Sequence, residues 1–165
     1  MPSCTALIVA AGSGQRFGAE LPKQYLDLAG KPVLRRTVEA FLRHPRVNAV
    51  RVVINPAFRD LYDAAVAGLD LPEPVAGGAS RQDSVRNGLE ALADSAPDRV
   101  LIHDAARPLI DDATIDAVIA ALDHHPAALA GSLKLSSRIK AKMNPYTDTK
   151  GSWSVPSTIG SCLCA

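Results

Sequence analysis

This chain has no apolar run near the ~18 residues that a membrane span needs, so it is not expected to cross a bilayer. Met1-Pro2-Ser3-Cys4 carries no charged segment ahead of an apolar stretch, so no secretory signal is expected. Net charge is only +1 over 165 residues, which gives no general case for nucleic acid. Cysteine is scarce: Cys4, Cys162 and Cys164 stand near the chain ends. An odd number so placed argues against a disulfide framework and fits a reducing cytoplasm. Cys162-x-Cys164 also lacks the partner ligands of a zinc site. No internal repeat is visible. What remains is 47% apolar residues, in a length that suffices for one domain with a core.

The small net charge hides a break. Residues 1–130 hold 13 Lys and Arg against 16 Asp and Glu, whereas residues 131–165 hold five against one. The later segment also has seven serines, the only Trp and two of the three Cys. Two expectations follow: a tail of different origin from the body, or an ordinary flexible C-terminus.

Two familiar phosphate loops are missing. The dinucleotide fingerprint G-x-G-x-x-G would need glycine where Phe17 stands, and the only Gly-Lys, Gly30-Lys31, runs into Pro32 rather than Ser or Thr. A different glycine loop is present. Ala6 to Ala11 reads as a buried strand that empties into Gly12 and Gly14, followed by Arg16 and, after Pro22, Lys23. Small residues let a backbone approach a ligand closely, and amides with two cations suit a nucleoside triphosphate.

Further along, Val33, Leu34, Thr37, Val38, Phe41 and Leu42 recur at helical spacing. Val47 to Ile54 is rich in β-branched residues and reads as a strand. Phe58, Leu61, Tyr62, Ala65, Val66 and Leu69 form a second helical stripe, and Pro74 to Ala76 a brief extended piece. Ser80-x-x-Asp83 has the form of a capping box opening a helix to about Leu92. Arg99 to His103 reads as a strand, and Asp111 or Asp112 caps a helix to about Asp123. His124-His125 suits a helix end, and Ala127 to Leu135 starts a further strand. Alternating strands and helices predict an α/β fold with a mostly parallel sheet and helices on both faces. Ligands of such sheets sit beyond the carboxyl ends of the strands.

Three loops leave those ends: 12–23, 77–84 and 103–108. In the second, capping explains Ser80 and Asp83 but not Gly77-Gly78, Arg81 or Ser84. The third, His103-Asp104-Ala105-Ala106-Arg107-Pro108, offers Asp104 as a Mg²⁺ ligand beside phosphates. His103 reads as a structural hydrogen-bonding residue. Arg107 either binds a second anion or pairs with a nearby Asp.

Taken in order, AAGSGQRFG, PKQYL, GGASRQDSV and HDAARP resemble the 2-C-methyl-D-erythritol 4-phosphate cytidylyltransferase family, over roughly Thr5 to Ala130. A related group, the ribitol-5-phosphate cytidylyltransferases, shares the PKQ element; Arg81 to Val85 and His103 to Pro108 favour the methylerythritol group. The resemblance implies a Rossmann-like sheet, a cytoplasmic enzyme of isoprenoid precursor synthesis, and Mg²⁺-dependent transfer of CMP from CTP with release of pyrophosphate. It implies backbone contacts to the nucleotide from Ala10, Ala11 and Gly12 beside Gly14. It implies that Gly78, Ala79 and the Ser84 hydroxyl read cytosine. Arg16 and Lys23 would be catalytic, holding the triphosphate. Asp104 would bind Mg²⁺ and approach the substrate, and Arg107 would lie near the methylerythritol phosphate.

The family also has a Pro-Val-x-Asp-Thr-x-Lys element leading to an arm that builds a homodimer. Here Ala130 runs instead into Gly131-Ser132-Leu133-Lys134-Leu135-Ser136. The chain is thus expected to be altered or truncated after about residue 130: a nucleotide-binding domain over 1–130, an irregular tail over 131–165, an incomplete C-terminal part and no dimer arm. Three outcomes stand open: a working transferase, a remnant that holds CTP without chemistry, or a non-functional product.

Overall fold

The computed structural model describes residues 2–12, 21–128 and 160–163. Its centre is β1, Cys4–Ala10, paired in parallel with β2, Ala49–Ile54, on one side and β4, Arg99–Asp104, on the other. The short β3, Val75–Ala76, adds outside β2. On the far side the backbone of β6, Gly160–Leu163, lies between β4 and β5, Ala127–Ala128. The strand order is β3-β2-β1-β4-β6-β5, and these strands pair in parallel throughout.

Parallel strands buried on both faces need apolar residues at successive positions rather than at alternate ones. β1 meets this demand. Cys4, Ala6, Ile8 and Ala10 turn to one face, where they pack with α1 (Val33–Arg43), α2 (Arg59–Val66) and α4 (Asp112–Leu122). Leu7 turns to the other, with Val53, Val100, Ile102 and the Val85 side chain of α3, Arg81–Glu90. Helices thus cover both faces, as the alternating pattern predicts. The burial of Leu34, Thr37, Val38 and Phe41 matches the α1 stripe, but Leu42 is 39% exposed, at the stripe's edge. The fourth helix starts at Asp112 with Asp111 as its cap, accepting from the Thr114 amide at 2.8 Å.

Elements also differ from expectation at their ends. The second strand begins at Ala49, two residues late, because Val47 and Asn48 are occupied otherwise: Val47 donates to the His44 carbonyl and Asn48 to that of Cys4. The second helix spans Arg59–Val66, with Pro56–Phe58 as a separate 3₁₀ turn capped by Asn55. Gly160–Leu163 forms a strand within the segment read as a tail. Of the proposed Ala127 to Leu135 strand, Ala127–Ala128 is seen; positions 129–135 lie outside the described residues. Among the described residues no helix is long and apolar enough to cross a membrane.

The order of the strands creates the crevice. The chain builds outward from β1 through β2 to β3, then returns and lays β4 on the opposite side of β1. Right-handed crossovers in opposite directions must pass over opposite faces. That separates α3 from α1 and α2 at the carboxyl ends of β1 and β4, the place where sheets of this kind bind their ligands. The α3 crossover sits close to the sheet: a Cβ on Gly88 would come within 2.7 Å of Leu7 Cδ1 and 2.8 Å of Val53 Cγ2.

Gly88→Ala therefore lowers stability by about 1–3 kcal/mol through overpacking, although alanine by itself favours a helix by about 1 kcal/mol. Urea melts check this. An unchanged or raised midpoint would mean that Leu7 and Val53 repack without strain.

Candidate functional site

Three loops meet at the carboxyl ends of β1, β3 and β4, and polar contacts stitch them together. The first leaves β1 at Ala10 and is caught on its return by Gln24, in the 3₁₀ turn Lys23–Tyr25. Gln24 is 5% exposed, and its Nε2 donates to the Ala10 carbonyl at 2.7 Å and the Gly12 carbonyl at 2.9 Å. A buried amide with two acceptors ties the start of that loop to its return. Tyr25 lies beside it, 6.3 Å from the Phe58 ring centroid. Burial, with a smaller contribution from Tyr62, pushes the Tyr25 phenol up to about 12.

The second loop is tied to β2 by the Gly77 amide, which donates to the Ile54 carbonyl at 2.7 Å. It also abuts the first loop. A Cβ on Gly77 would stand 2.4 Å from Ala11 Cβ, and one on Gly78 2.3 Å from Asp83 Cβ. Only glycine permits that approach, which is the reason for the pair. Ser80 and Asp83 form a reciprocal capping box at the start of α3. Ser84 is buried behind it, accepting from the Gly78 amide at 3.1 Å and donating to the Ser80 carbonyl at 2.9 Å. Its hydroxyl is engaged inside the loop, where it braces Gly78.

The third loop turns at Asp104. The Ala105 amide donates to the Val9 carbonyl at 3.0 Å, and the Ala105 carbonyl accepts from the buried Thr37 hydroxyl at 2.8 Å. His103 is 3% exposed, packs 5.1 Å from the Phe41 ring, and uses Nε2 to hold the Arg107 carbonyl at 2.9 Å. That bond requires the proton on Nε2, and it makes His103 a structural residue, as its position suggests. Asp104 Oδ1 accepts from Arg81 Nη2 at 2.9 Å and Nε at 3.2 Å, while Arg107 Nε lies 3.4 Å from Oδ2. Of the two readings of Arg107, this structure contains the pairing with an Asp. Among the described residues no group of three or more His, Cys, Asp or Glu is gathered for a metal.

The structure therefore brings Ala10, Ala11, Gly12, Gly78, Ala79, Ser84, Asp104 and Arg107 to one end of the sheet, with Lys23 exposed on the same return loop as Gln24. Gly14 and Arg16 lie outside the described residues. Sequence reasoning missed Gln24 and Thr37. Gln24 carried no signal of its own beyond its place in Pro22-Lys23-Gln24. Thr37 did carry one, since a hydroxyl on an apolar helix face must find a partner.

The family model described as "IspD: 2-C-methyl-D-erythritol 4-phosphate cytidylyltransferase" matches residues 4–151. The chain is 62% identical over 129 residues to the bifunctional enzyme IspD/IspF of Paramagnetospirillum magneticum, which covers 78% of this chain and 34% of that protein. It is 61% identical over 130 residues to the protein of the same description from Rhodospirillum rubrum, again covering 34% of it. The chain thus spans about a third of the length of these relatives. Among solved structures it resembles 4-diphosphocytidyl-2C-methyl-D-erythritol synthase from Anaerococcus prevotii, with a TM-score of 0.66 and 28% identity over 78% of this chain and 54% of that one. It also resembles 2-C-methyl-D-erythritol 4-phosphate cytidylyltransferase from Francisella tularensis, with a TM-score of 0.57 and 27% identity over 77% of this chain and 56% of that one.

Replacing Gln24 with Ala removes one donor from two carbonyls, one of them buried. The expected loss of stability is about 1–3 kcal/mol, with hydrogen exchange quickened at Ala11 and Gly12 ahead of the rest of the sheet. Uniform exchange across β1 and the loop would remove Gln24 as the loop's anchor.

Proposed function

The chain belongs to the 2-C-methyl-D-erythritol 4-phosphate cytidylyltransferase family, and from that premise we propose that its switch-point crevice takes CTP and transfers CMP to 2-C-methyl-D-erythritol 4-phosphate, releasing pyrophosphate. The observation that carries this reading is the meeting of three loops. Loop backbone from Ala10 to Gly12 meets that from Gly77 to Ala79, and the charged side chains of Arg81, Asp104 and Arg107 stand on the third loop and its neighbour. A planar base is read by backbone amides and carbonyls, which small residues let it approach closely. A triphosphate fits amides and cations.

In this reading the backbones of Ala10, Ala11, Gly12 and Gly14 line the nucleotide. The Gly78 and Ala79 backbones face the cytosine, and the Ser84 hydroxyl, which braces the Gly78 amide, donates to the cytosine when the base is bound. Arg16 and Lys23 hold the triphosphate and stabilise the charge that develops on the α-phosphoryl oxygens. Arg107 holds the acceptor phosphate. An oxygen of that phosphate attacks the α-phosphorus, a new P–O–P bond forms, and the bond to the β-phosphate oxygen breaks. The acceptor phosphate is already a competent nucleophile at neutral pH, so the chain needs no strong base. Its contribution is positioning and charge stabilisation.

Asp104 fits a divalent cation by the chemistry of its donor set. It is a hard, partly exposed carboxylate at the end of a strand beside the phosphates, and Mg²⁺ is commonly held by one or two carboxylates plus phosphate oxygens. When bound there, Mg²⁺ would offset negative charge on the phosphates and on the leaving pyrophosphate.

Mg²⁺·CTP is expected to raise the thermal midpoint of the full chain and Mg²⁺·GTP to leave it unchanged. Ligand at 100 times its Kd contributes about 2.7 kcal/mol. Equal shifts with both nucleotides would sink the cytosine assignment, and a shift without pyrophosphate release would assign the chain to holding CTP without transfer. Where transfer is measured, Lys23→Ala and Arg16→Ala each lower turnover on the order of 10²–10³, the usual cost of one preorganised donor. Near-normal rates in both would overturn their roles.

A further inference from the structure

The capping box accounts for Ser80 and Asp83 and leaves Arg81 without a task. Arg81 is the first residue of α3. A cation is poorly placed there, because the helix dipole presents positive charge at its N-terminus. Its guanidinium reaches across the crevice to the third loop and engages Asp104 Oδ1 through both Nε and Nη2. With Arg107 near Oδ2, two cations face one carboxylate, and both oxygens are covered. A divalent cation needs at least one of them. The cover is loose: the side chains of Arg81 and Arg107 are 44% and 53% exposed, and that of Asp104 is 29%. Pairs this exposed contribute little and exchange readily.

We propose that Arg81 is a positioning residue that stands in for the divalent cation. Through its ion pair it holds the Asp104 carboxylate at the crevice and offsets its charge. A cation arriving with the nucleotide would compete with Arg81 for this carboxylate. The inference rests on the reading of Asp104 as the cation-holding residue. Asp104 is thereby kept aimed across the gap between α3 and β4, and the cation must compete with a guanidinium for it. The competition sets how much cation nucleotide binding requires.

The test follows CTP-induced thermal stabilisation of the full chain over a series of Mg²⁺ concentrations, for the wild type, Arg81→Gln and Arg81→Lys. Arg81→Gln is expected to lower the half-saturating Mg²⁺ by roughly threefold, the scale of an exposed ion pair. Arg81→Lys, which keeps the charge but not the two-pronged contact, is expected to fall between. A purely structural role would lower the ligand-free midpoint of both variants and leave the Mg²⁺ requirement unmoved. An unchanged or increased requirement in Arg81→Gln overturns the proposal, as does loss of CTP binding at every Mg²⁺ concentration, which would make Arg81 a ligand-holding residue. Absence of CTP stabilisation in the wild type at any Mg²⁺ concentration overturns the reading of the site itself, and the proposal with it.

Discussion

The structure depends on β1 having parallel neighbours on both sides and helices on both faces. Six consecutive register pairs tie it to β2 and six to β4, so its backbone polar groups are satisfied within the sheet. Its side chains must then be apolar at nearly every position, and from Cys4 to Ala10 only Thr5 breaks the run. The arrangement has a topological consequence. A strand with its sequence neighbour β2 on one side and the later β4 on the other marks the point where the sheet reverses its direction of growth. Right-handed crossovers then diverge there, over opposite faces of the sheet. The candidate site is the direct result of how the central strand is buried.

The loops at this gap cannot be held by the sheet ladder. A small number of buried polar side chains does that work: Gln24 on the carbonyls of Ala10 and Gly12, Thr37 on that of Ala105, His103 on that of Arg107, and Ser84 on the Gly78 amide. Each pairs a main-chain group at the crevice rim, and none projects its functional group freely into the opening. Among the described residues, the surface left to a ligand is then largely backbone, together with the charges of exposed Lys23, Arg81 and Arg107 and of half-buried Asp104. Such a surface suits a nucleotide, whose base is read by amides and carbonyls and whose phosphates are read by charge. The acidic group at the rim is held by arginines rather than by other acids. That favours a cation arriving with phosphates over one resident in an all-protein cage.

Much of the architecture was legible because local and tertiary preferences agree. The capping box at Ser80 and Asp83 is both a local hydrogen-bond pattern and the true start of α3. The apolar run before Gly12 could only be a buried strand in a chain of alternating strand and helix patterns. Boundaries were less legible wherever tertiary bonds compete with strand pairing, as at Val47 and Asn48. The tail shows the same limit in stronger form. Nothing in Gly160 to Leu163 distinguishes a strand from a loop until β4 and β5 stand beside it, because a ladder needs partners that are distant in sequence.

At the site, the sequence by itself determined which chemistry is available: glycines that allow close approach, cations, and one carboxylate at a strand end, in three loops whose order matches a known family. Those features are local, set by residue type and by the strand or helix each loop adjoins. Only the tertiary structure decided how they engage one another. It turned the Ser84 hydroxyl inward, made Gln24 the anchor of a loop twelve residues away, and paired Arg81 with Asp104 across the crevice. These are contacts between elements brought together by the crossover of β4 to the far side of β1. Hydrogen bonds and ion pairs depend on distances of a few tenths of an ångström, which no spacing along the chain can specify.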